Sequence, residues 1–252
     1  MHGIADRVAV VTGSGAGIGR ETATRFAEEG AAVVVADVDT SGGEETVEMI
    51  ESDGGEAVFV ETDVTEDVEV TEMVDTAVET FGSLDFACNN AGIEGATKPL
   101  VEQTDEMWES VMAVNITGVF QGMRAQIPAM LETGGGAIVN TASIAGIRGF
   151  LNLSPYVASK HGVIGATKTA ALEWSKEGIR VNAVCPGVIE TEMVARTREQ
   201  DPENIEQVIA GTPIGRLGQP AEIAAAAVWL CSEDASFVTG ESLVVDGAFS
   251  VQ

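Results

Sequence analysis

Short apolar runs alternate with longer amphipathic stretches along most of this chain. The runs predict strands at Val8–Thr12, Ala31–Ala36, Ala57–Glu61, Leu84–Asn89, Ala137–Thr141, Ile179–Val184 and Ser242–Asp246. Apolar positions spaced by three and four predict helices at Ile18–Glu29, Gly43–Ser52, Val68–Phe81, Trp108–Leu131, Val157–Ser175 and Ala221–Leu230, with a polar helical stretch near Thr191–Ala210. The strands are apolar throughout rather than alternating, so both of their faces are expected to be buried.

Repeated strand–helix alternation implies a parallel sheet joined by right-handed crossovers. The expected fold is therefore α/β, a doubly wound Rossmann arrangement with a single parallel sheet of about seven strands and helices on both faces. Residues 1–252 contain no linker or repeat and are expected to form one domain. The least regular stretch, Glu190–Gly218 with Pro202 and Pro213, is the expected substrate lid at 190–218.

Composition narrows the class of function. With 45% hydrophobic residues the chain is not disordered. No apolar run approaches the roughly 18–20 residues that span a bilayer. Met1–Val11 lacks a basic region followed by a long apolar stretch, so the expected location is the cytoplasm. Cys88, Cys185 and Cys231 are odd in number and widely spaced, which favours three buried apolar side chains over a disulfide or zinc framework. His2 and His161 do not make a metal site, and no metal is expected. The formal net charge of −27, from 40 acidic and 13 basic residues, disfavours nucleic acid and anionic membranes as partners. The acidic residues are dispersed, giving an acidic surface that salt screens. Two readings stay open: adaptation to a halophilic, molar-salt cytoplasm, or an ordinary acidic bacterial enzyme.

The first strand runs into Thr12-Gly13-Ser14-Gly15-Ala16-Gly17-Ile18-Gly19, which opens a helix. Glycines there permit positive φ and let backbone approach a pyrophosphate, while the helix N-terminus supplies N–H groups for the anion. The second strand ends near Asp37, 20 residues after Gly17. A carboxylate there accepts from both ribose hydroxyls and repels a 2′-phosphate, so NAD is favoured over NADP.

With these features the sequence resembles the short-chain dehydrogenase/reductase family, in its branch of about 250 residues, from about Arg7 to Phe249. The loop of Gly13, Gly17 and Gly19 matches its T-G-x-x-x-G-x-G. Asn89-Asn90-Ala91-Gly92 matches N-N-A-G, Tyr156-Val157-Ala158-Ser159-Lys160 matches Y-x-x-x-K, and Pro186-Gly187 with Thr191 matches the segment after the sixth strand. Asn115 and Ser143 stand where the family carries an asparagine and a serine. The resemblance implies a catalytic set of Asn115, Ser143, Tyr156 and Lys160. It implies cofactor contacts from Gly13, Gly17, Ile18, Gly19, Asp37, Asp63, Val64, Asn90, Ala91, Gly92, Tyr156, Lys160, Pro186, Gly187, Ile189 and Thr191. In it Asp63 accepts from the adenine amino group, Asn90 meets a ribose, and Ile189 and Thr191 hold the carboxamide. It further implies a homotetramer packed through the long helices and Val238–Val251.

Alcohol oxidation needs a base that is partly deprotonated at working pH, and free tyrosine titrates near ~10. Tyr156 and Lys160 are four apart and share a helix face, so the ammonium is expected to lower the phenol's pKa. Ser143 is expected to hold the substrate oxygen, and Asn115, by resemblance, a water that links Lys160 to solvent. Outside the family context each of these residues also has a plain packing or surface reading. The substrate wall is expected from Ile93–Thr97, from Ile144–Leu153 with Ile144, Ile147, Phe150 and Leu151, and from Met193. Arg148, Arg196, Arg198 and Arg216 lie in these stretches without a claim on a substrate carboxylate.

The leading expectation is an NAD-dependent oxidoreductase that interconverts a secondary alcohol (a small polyol, sugar or cyclic alcohol) and its ketone or lactone. Two alternatives stand beside it: a 3-oxoacyl-thioester (acyl-carrier-protein) reductase, and an NAD-binding sensor without turnover.

Overall fold

The computed structural model describes all residues except Met193, Arg196, Thr197, Glu199, Gln200, Asp201 and Gln252, and leaves aside the side chains of Pro202 and Asn204. Met193 and Arg196, expected near the substrate, lie outside the described residues. Seven strands form one parallel sheet: β1 (Val8–Thr12), β2 (Ala32–Asp37), β3 (Glu56–Glu61), β4 (Phe86–Asn89), β5 (Gly136–Thr141), β6 (Ile179–Pro186) and β7 (Ser242–Val245). Their spatial order is β3-β2-β1-β4-β5-β6-β7. The chain winds outward from β1 in one direction and from β4 in the other, so the crossovers diverge at the carboxyl ends of β1 and β4. That divergence opens a crevice where ligands of such sheets bind.

The apolar runs of the five inner strands are buried on both sides, as expected, while the edge strands β3 and β7 are only partly buried. Val8 and Val10 of β1 and Val34 and Ala36 of β2 face one core, with α3 (Asp67–Phe81), α5 (Gly118–Glu132) and α6 (Ser154–Trp174) packed over it. Ala9, Val11, Val33 and Val35 face the other, under α1 (Gly17–Glu28), α2 (Thr40–Ser52) and α8 (Pro220–Cys231). Two further helices are α4 (Asp105–Met112) and α7 (Pro202–Gly211). Among the described residues no helix is long and apolar enough to cross a membrane.

Three of the boundaries that differ from the sequence pattern have a clear local reason. The long helix expected over Trp108–Leu131 starts earlier, because the Thr104 side chain accepts from the Met107 N–H and caps α4. It is also broken by a π-turn at Ala113–Thr117 between α4 and α5. Helix α6 starts at Ser154, with Pro155 in its first turn, which places Tyr156 inside the helix. Strand β4 begins at Phe86 because Asp85 is occupied as an anchor, its carboxylate accepting from Val8 N at 3.0 Å, Arg7 Nη1 at 2.7 Å and Ser83 Oγ at 2.8 Å.

Candidate active site

The loop between β1 and α1 closes on itself because its glycines leave room. Gly13 and Gly17 have φ of 64° and 54°. A Cβ at Gly19 would stand 1.9 Å from the Gly13 carbonyl oxygen, so only glycine lets α1 leave the loop at this angle. Ser14 ties the loop to both strands: its Oγ donates to Val11 O at 2.8 Å and accepts from Ala36 N at 2.9 Å. Thr12 Oγ1 accepts the N–H groups of Asn90 and Ala91 at 3.0 and 3.1 Å, joining β1 to the start of the N-N-A-G turn. Helix α1 has no side-chain cap at Ala16 and no acidic residue in its first turn. Its first N–H groups and the positive end of its dipole therefore face the crevice.

Asp37 leaves the end of β2 beside this loop. Its Oδ2 accepts from Gly15 N at 2.7 Å and its Oδ1 from Asp39 N at 2.9 Å. Arg20, a nearby cation, is tied into α2. It donates to Glu45 Oε2 at 2.7 Å and Thr46 Oγ1 at 3.1 Å, and also to the carbonyls of Gly15 and Gly42. Asp63 Oδ1 accepts from the N–H and hydroxyl of Thr65 at 2.9 and 2.8 Å. Val64 beside it is buried, and Gly118 lets α5 pass over it. The Asn90 side chain is engaged within the protein. Its Nδ2 donates to Thr12 O and Gly13 O, and its Oδ1 accepts from Thr141 Oγ1 at 3.3 Å. That side chain braces the glycine loop.

The four residues of the expected catalytic set meet at the carboxyl edge of β4 and β5. Ser143 lies just past β5, its Oγ accepting from Ala145 N at 3.1 Å, and it stands close enough to the Tyr156 phenol to favour the ionised form. Lys160 is only 3% exposed. Its Nζ donates to Thr141 O at 2.8 Å and lies 5.6 Å from the centroid of the Tyr156 ring. Asn115, in the π-turn, is fully buried. Its Oδ1 accepts from Ile93 N at 2.8 Å, and its Nδ2 donates to Ile93 O at 2.9 Å and Ser159 Oγ at 3.1 Å. Ser159 in turn donates to Tyr156 O at 2.8 Å. Gly92 lies in the midst of the set: a Cβ there would meet Asn115 Oδ1 at 3.3 Å and Lys160 Nζ at 3.4 Å.

The ionisation of this cluster differs from the sequence expectation. Burial pushes the Lys160 ammonium down to about 8. Burial pushes the Tyr156 phenol up; the Ser143 hydroxyl opposes this and the negative charge of Glu94 adds to it. The expected lowering by Lys160 is not present in the protein alone, because the ammonium is bonded to Thr141 O and sits over the ring rather than at the phenol oxygen.

On the far side, Pro186 ends β6 and Gly187 passes close to Asp246, where a Cβ would come within 2.8 Å of Asp246 Cα. Gly218 pairs with Ile189, through Gly218 N to Val188 O at 3.0 Å and Glu190 N to Gly218 O at 2.9 Å. That pairing turns the N–H and C=O of Ile189 to the opposite side of the segment. The Thr191 methyl lies 3.4 Å from where a Gly17 Cβ would be, so Thr191 closes over the glycine loop.

Of the expected wall residues, Ile147 is 43% exposed and Leu151 90%, while Ile144 is buried in the core at 3%. Sequence reasoning missed Phe249. It stacks on Phe150 at 6.4 Å between ring centroids, and its carbonyl accepts from Arg148 Nη1 at 3.2 Å. It also missed Thr12, Ser14, Ser159 and the carbonyl of Thr141 as fixtures of the site. The three cysteines are buried and free, their thiols pushed up by desolvation, to about 11 for Cys185 and about 12 for Cys88.

A family model described as enoyl-(acyl carrier protein) reductase matches residues 13–250. The cyclohexanol dehydrogenase of Acinetobacter sp. (strain SE19) is 46% identical over 245 residues, covering 97% of this chain and 95% of that protein. The crystal structure of levodione reductase superposes with a TM-score of 0.95 at 40% identity, covering 98% of each chain. A 7α-hydroxysteroid dehydrogenase complexed with NADH and 7-oxo glycochenodeoxycholic acid superposes with a TM-score of 0.92 at 35% identity, covering 97% of this chain and 94% of that one. With its motifs in order on the expected strands and these relatives matched end to end, the chain belongs to the short-chain dehydrogenase/reductase family and is a nicotinamide-linked oxidoreductase.

Proposed function

We propose that this enzyme interconverts a secondary alcohol on a small ring and its ketone, using NAD and Tyr156 as the acid/base. The observation that carries this reading is the meeting of Ser143, Tyr156, Lys160 and Asn115 at one edge of the crevice, across from an uncapped helix N-terminus. A dinucleotide fits these residues. The glycine loop leaves a cradle that any Cβ would fill, α1 offers free N–H groups, and Asp37 presents a carboxylate beside Gly15. Gly13, Gly17, Ile18 and Gly19 would hold the pyrophosphate, Asp37 the adenosine ribose, and Asp63 and Val64 the adenine. The backbone of Asn90, Ala91 and Gly92, with Tyr156, Lys160, Pro186, Gly187, Ile189 and Thr191, would hold the nicotinamide half. When bound, the cofactor supplies hydride transfer at its nicotinamide ring.

This chain's own residues handle position and proton. The Ser143 and Tyr156 hydroxyls are neighbours, and between them they would hold a substrate oxygen. The Tyr156 phenol gives or takes the proton at that oxygen. Lys160 is held over the Tyr156 ring by the Thr141 carbonyl and would hold the nicotinamide ribose. Asn115 fixes Ile93 against α6 through both ends of its amide and would hold the water that links Lys160 to solvent.

NAD rather than NADP is supported by Asp37 at the ribose position and by the engagement of Arg20 with Glu45 and Thr46, which leaves a 2′-phosphate facing a carboxylate. A cyclic alcohol is supported by the names of the relatives and by the apolar wall of Ile147 and the Phe150–Phe249 stack. The chain acts as one domain whose 190–218 segment covers the substrate, its two stalks pinned by the Ile189–Gly218 pair and by Glu190, which accepts from Arg198 at 2.8 Å. A homotetramer is supported by exposed Trp108 and Phe120 on α4 and α5, and by Phe237, Leu172 and Val244 on the side of the open β7 edge. The net charge of −27 supports function at molar salt and the absence of nucleic-acid partners.

The description of the family model favours a second reading, reduction of a thioester on an acyl carrier. The acidic surface stands against docking of an acidic carrier. The test is NAD and NADP reduction over cyclic alcohols, polyols and sugars, with reduction of acyl thioesters in parallel, at low and molar KCl. Turnover of a cyclic alcohol with NAD at molar salt is the expected result. Turnover confined to acyl thioesters with NADPH overturns the reading, full stability and activity at low salt overturn salt adaptation, and a monomer in size-exclusion chromatography at molar salt overturns the tetramer.

A further inference from the structure

We propose that Thr141 is a positioning residue that joins the dinucleotide loop to Lys160, its hydroxyl serving one and its carbonyl the other. The proposal rests on the reading of the crevice as a dinucleotide site. Thr141 is the last residue of β5 and is 7% exposed. In the β4–β5 register Asn89 pairs with Asn140, so Asn90 stands opposite Thr141 one step past the last pair. The Thr141 hydroxyl crosses that gap and donates to Asn90 Oδ1 at 3.3 Å. The other end of the same amide donates to Thr12 O at 3.1 Å and Gly13 O at 3.2 Å, beneath the first turn of the glycine loop.

The orientation of this amide is set from both ends. Turned over, Asn90 would place its oxygen against the Thr12 and Gly13 carbonyls, which offer it nothing to accept. In the orientation present, Oδ1 takes a proton from Thr141. Without that hydroxyl, a half-buried acceptor loses its protein donor, and the brace under Gly13 loosens. The Thr141 main chain faces the other way. Its carbonyl accepts from Lys160 Nζ at 2.8 Å, the one hydrogen bond described for that buried ammonium. The strand end is fixed on its other flank by Ala142 N to Val184 O at 2.8 Å. One residue thus sets the height of the loop that receives the pyrophosphate and of the cation beside Tyr156. A shift of the β5 terminus moves both together.

The test compares Thr141→Val, which keeps the β-branched shape and the carbonyl, with Thr141→Ser, which keeps the hydroxyl. NADH affinity is read by fluorescence titration, the Lys160 and Tyr156 ionisations by the pH profile of kcat, and loop protection by hydrogen exchange of the Gly13–Gly19 amides in the protein without dinucleotide. Expected for Thr141→Val are NADH binding weaker by about five- to tenfold, a kcat profile moved along the pH axis, and faster exchange of the loop amides. Thr141→Ser is expected to stay within about twofold of the parent on each measure. Should valine not fold, Thr141→Ala takes its place. A lowered melting temperature with unchanged NADH affinity, pH profile and loop exchange makes Thr141 an ordinary strand residue and overturns the proposal. Failure of serine to restore the parent behaviour overturns it equally. The exchange arm needs neither turnover nor a dinucleotide, so an inactive parent enzyme sinks the dehydrogenase reading while leaving this link to be decided on its own.

Discussion

Helix α6 carries two polar clusters buried against the sheet, one below the other, and they are built on opposite rules. The lower joins Asn89, Gln126, Asn140 and Thr167, each 3% exposed or less. Asn89 and Gln126 exchange amide bonds at 2.8 and 3.1 Å. Asn89 also donates to Asn140 Oδ1 at 2.9 Å, Asn140 to Thr167 Oγ1 at 2.9 Å, and Thr167 to Val163 O at 2.8 Å. It is neutral and its members satisfy one another. The upper cluster, Asn115, Ser143, Tyr156 and Lys160, holds two titratable groups whose ionisations burial moves in opposite directions. A closed neutral network fastens strands to helices. A cluster that pays for a buried cation without an anionic partner is arranged for chemistry.

The comparison breaks most visibly at Tyr156. Tyr156→Phe removes one oxygen from the upper cluster and nothing from the packing. Turnover is expected to fall by about a thousandfold or more, with NADH affinity within a few-fold of the parent. Retained turnover would return Tyr156 to the class of the lower cluster, and a parent that binds NADH without turning over any alcohol would be a sensor.

Lys160 tests the energetic side. Its descent from 10.5 to about 8 corresponds to on the order of 3 kcal/mol held against folding. Lys160→Met removes that penalty and leaves the Thr141 carbonyl without its donor, so a net gain of about 2 kcal/mol is expected at pH 7, with catalysis lost. The sign with pH follows from proton counts. Between pH 8 and 10.5 the unfolded chain holds more protons on this lysine than the folded one, so parent stability rises with pH there. The advantage of the methionine variant is therefore full below pH 8 and shrinks toward 10.5. The buried thiols act oppositely, keeping protons in the folded chain that the unfolded chain releases; Cys88 and Cys231 cancel in the difference, and Cys185, which Lys160 holds slightly down, rises a little further in the variant. Chemical denaturation from pH 7 to 10.5 measures this. A difference that does not change with pH contradicts a lysine made costly by burial.

Gln126→Leu makes the matching cut in the lower cluster. It leaves Asn89 Oδ1 without the 2.8 Å donor in a dry site, and about 2 kcal/mol of stability is expected to go. The kcat per folded molecule is expected to stay within about twofold. A large fall in kcat at unchanged stability would show that the two clusters are one.

The legibility of the molecule follows the same division. The five inner strands, buried on both faces, write themselves as apolar runs, the edge strands β3 and β7 were readable from their apolar runs alone, and Tyr156 and Lys160 were readable as a pair because a helix puts i and i+4 on one face. The π-turn at Ala113–Thr117 was not, since its residues fit a continuous helical pattern and only the backbone reveals the extra residue. Asn90 was legible as part of the site but not as a brace, because an amide offers the same groups to a ribose as to the Thr12 and Gly13 carbonyls. The Thr141 carbonyl was invisible, as every residue has one. The position of the Tyr156 ionisation depended on where the Lys160 ammonium comes to rest, which spacing along a helix does not fix.

The finest cut falls at the border. Ser159 is fully buried on the turn of α6 between Tyr156 and the lower cluster, accepting from Asn115 Nδ2 at 3.1 Å and donating to Tyr156 O at 2.8 Å. Its hydroxyl touches no reacting atom, so it acts only by holding Asn115 to the helix turn that carries the phenol. Ser159→Ala leaves the Asn115 amide one acceptor short, but the Ile93 carbonyl still receives the same nitrogen at 2.9 Å. A loss of about 1 kcal/mol in stability and a three- to fivefold fall in kcat, with KM for NAD unchanged, are therefore expected. Steady-state kinetics beside thermal melting separates the two effects. If stability falls and kcat does not, Asn115 belongs with the self-satisfied residues below, and the boundary between scaffold and chemistry runs above Ser159 rather than through it.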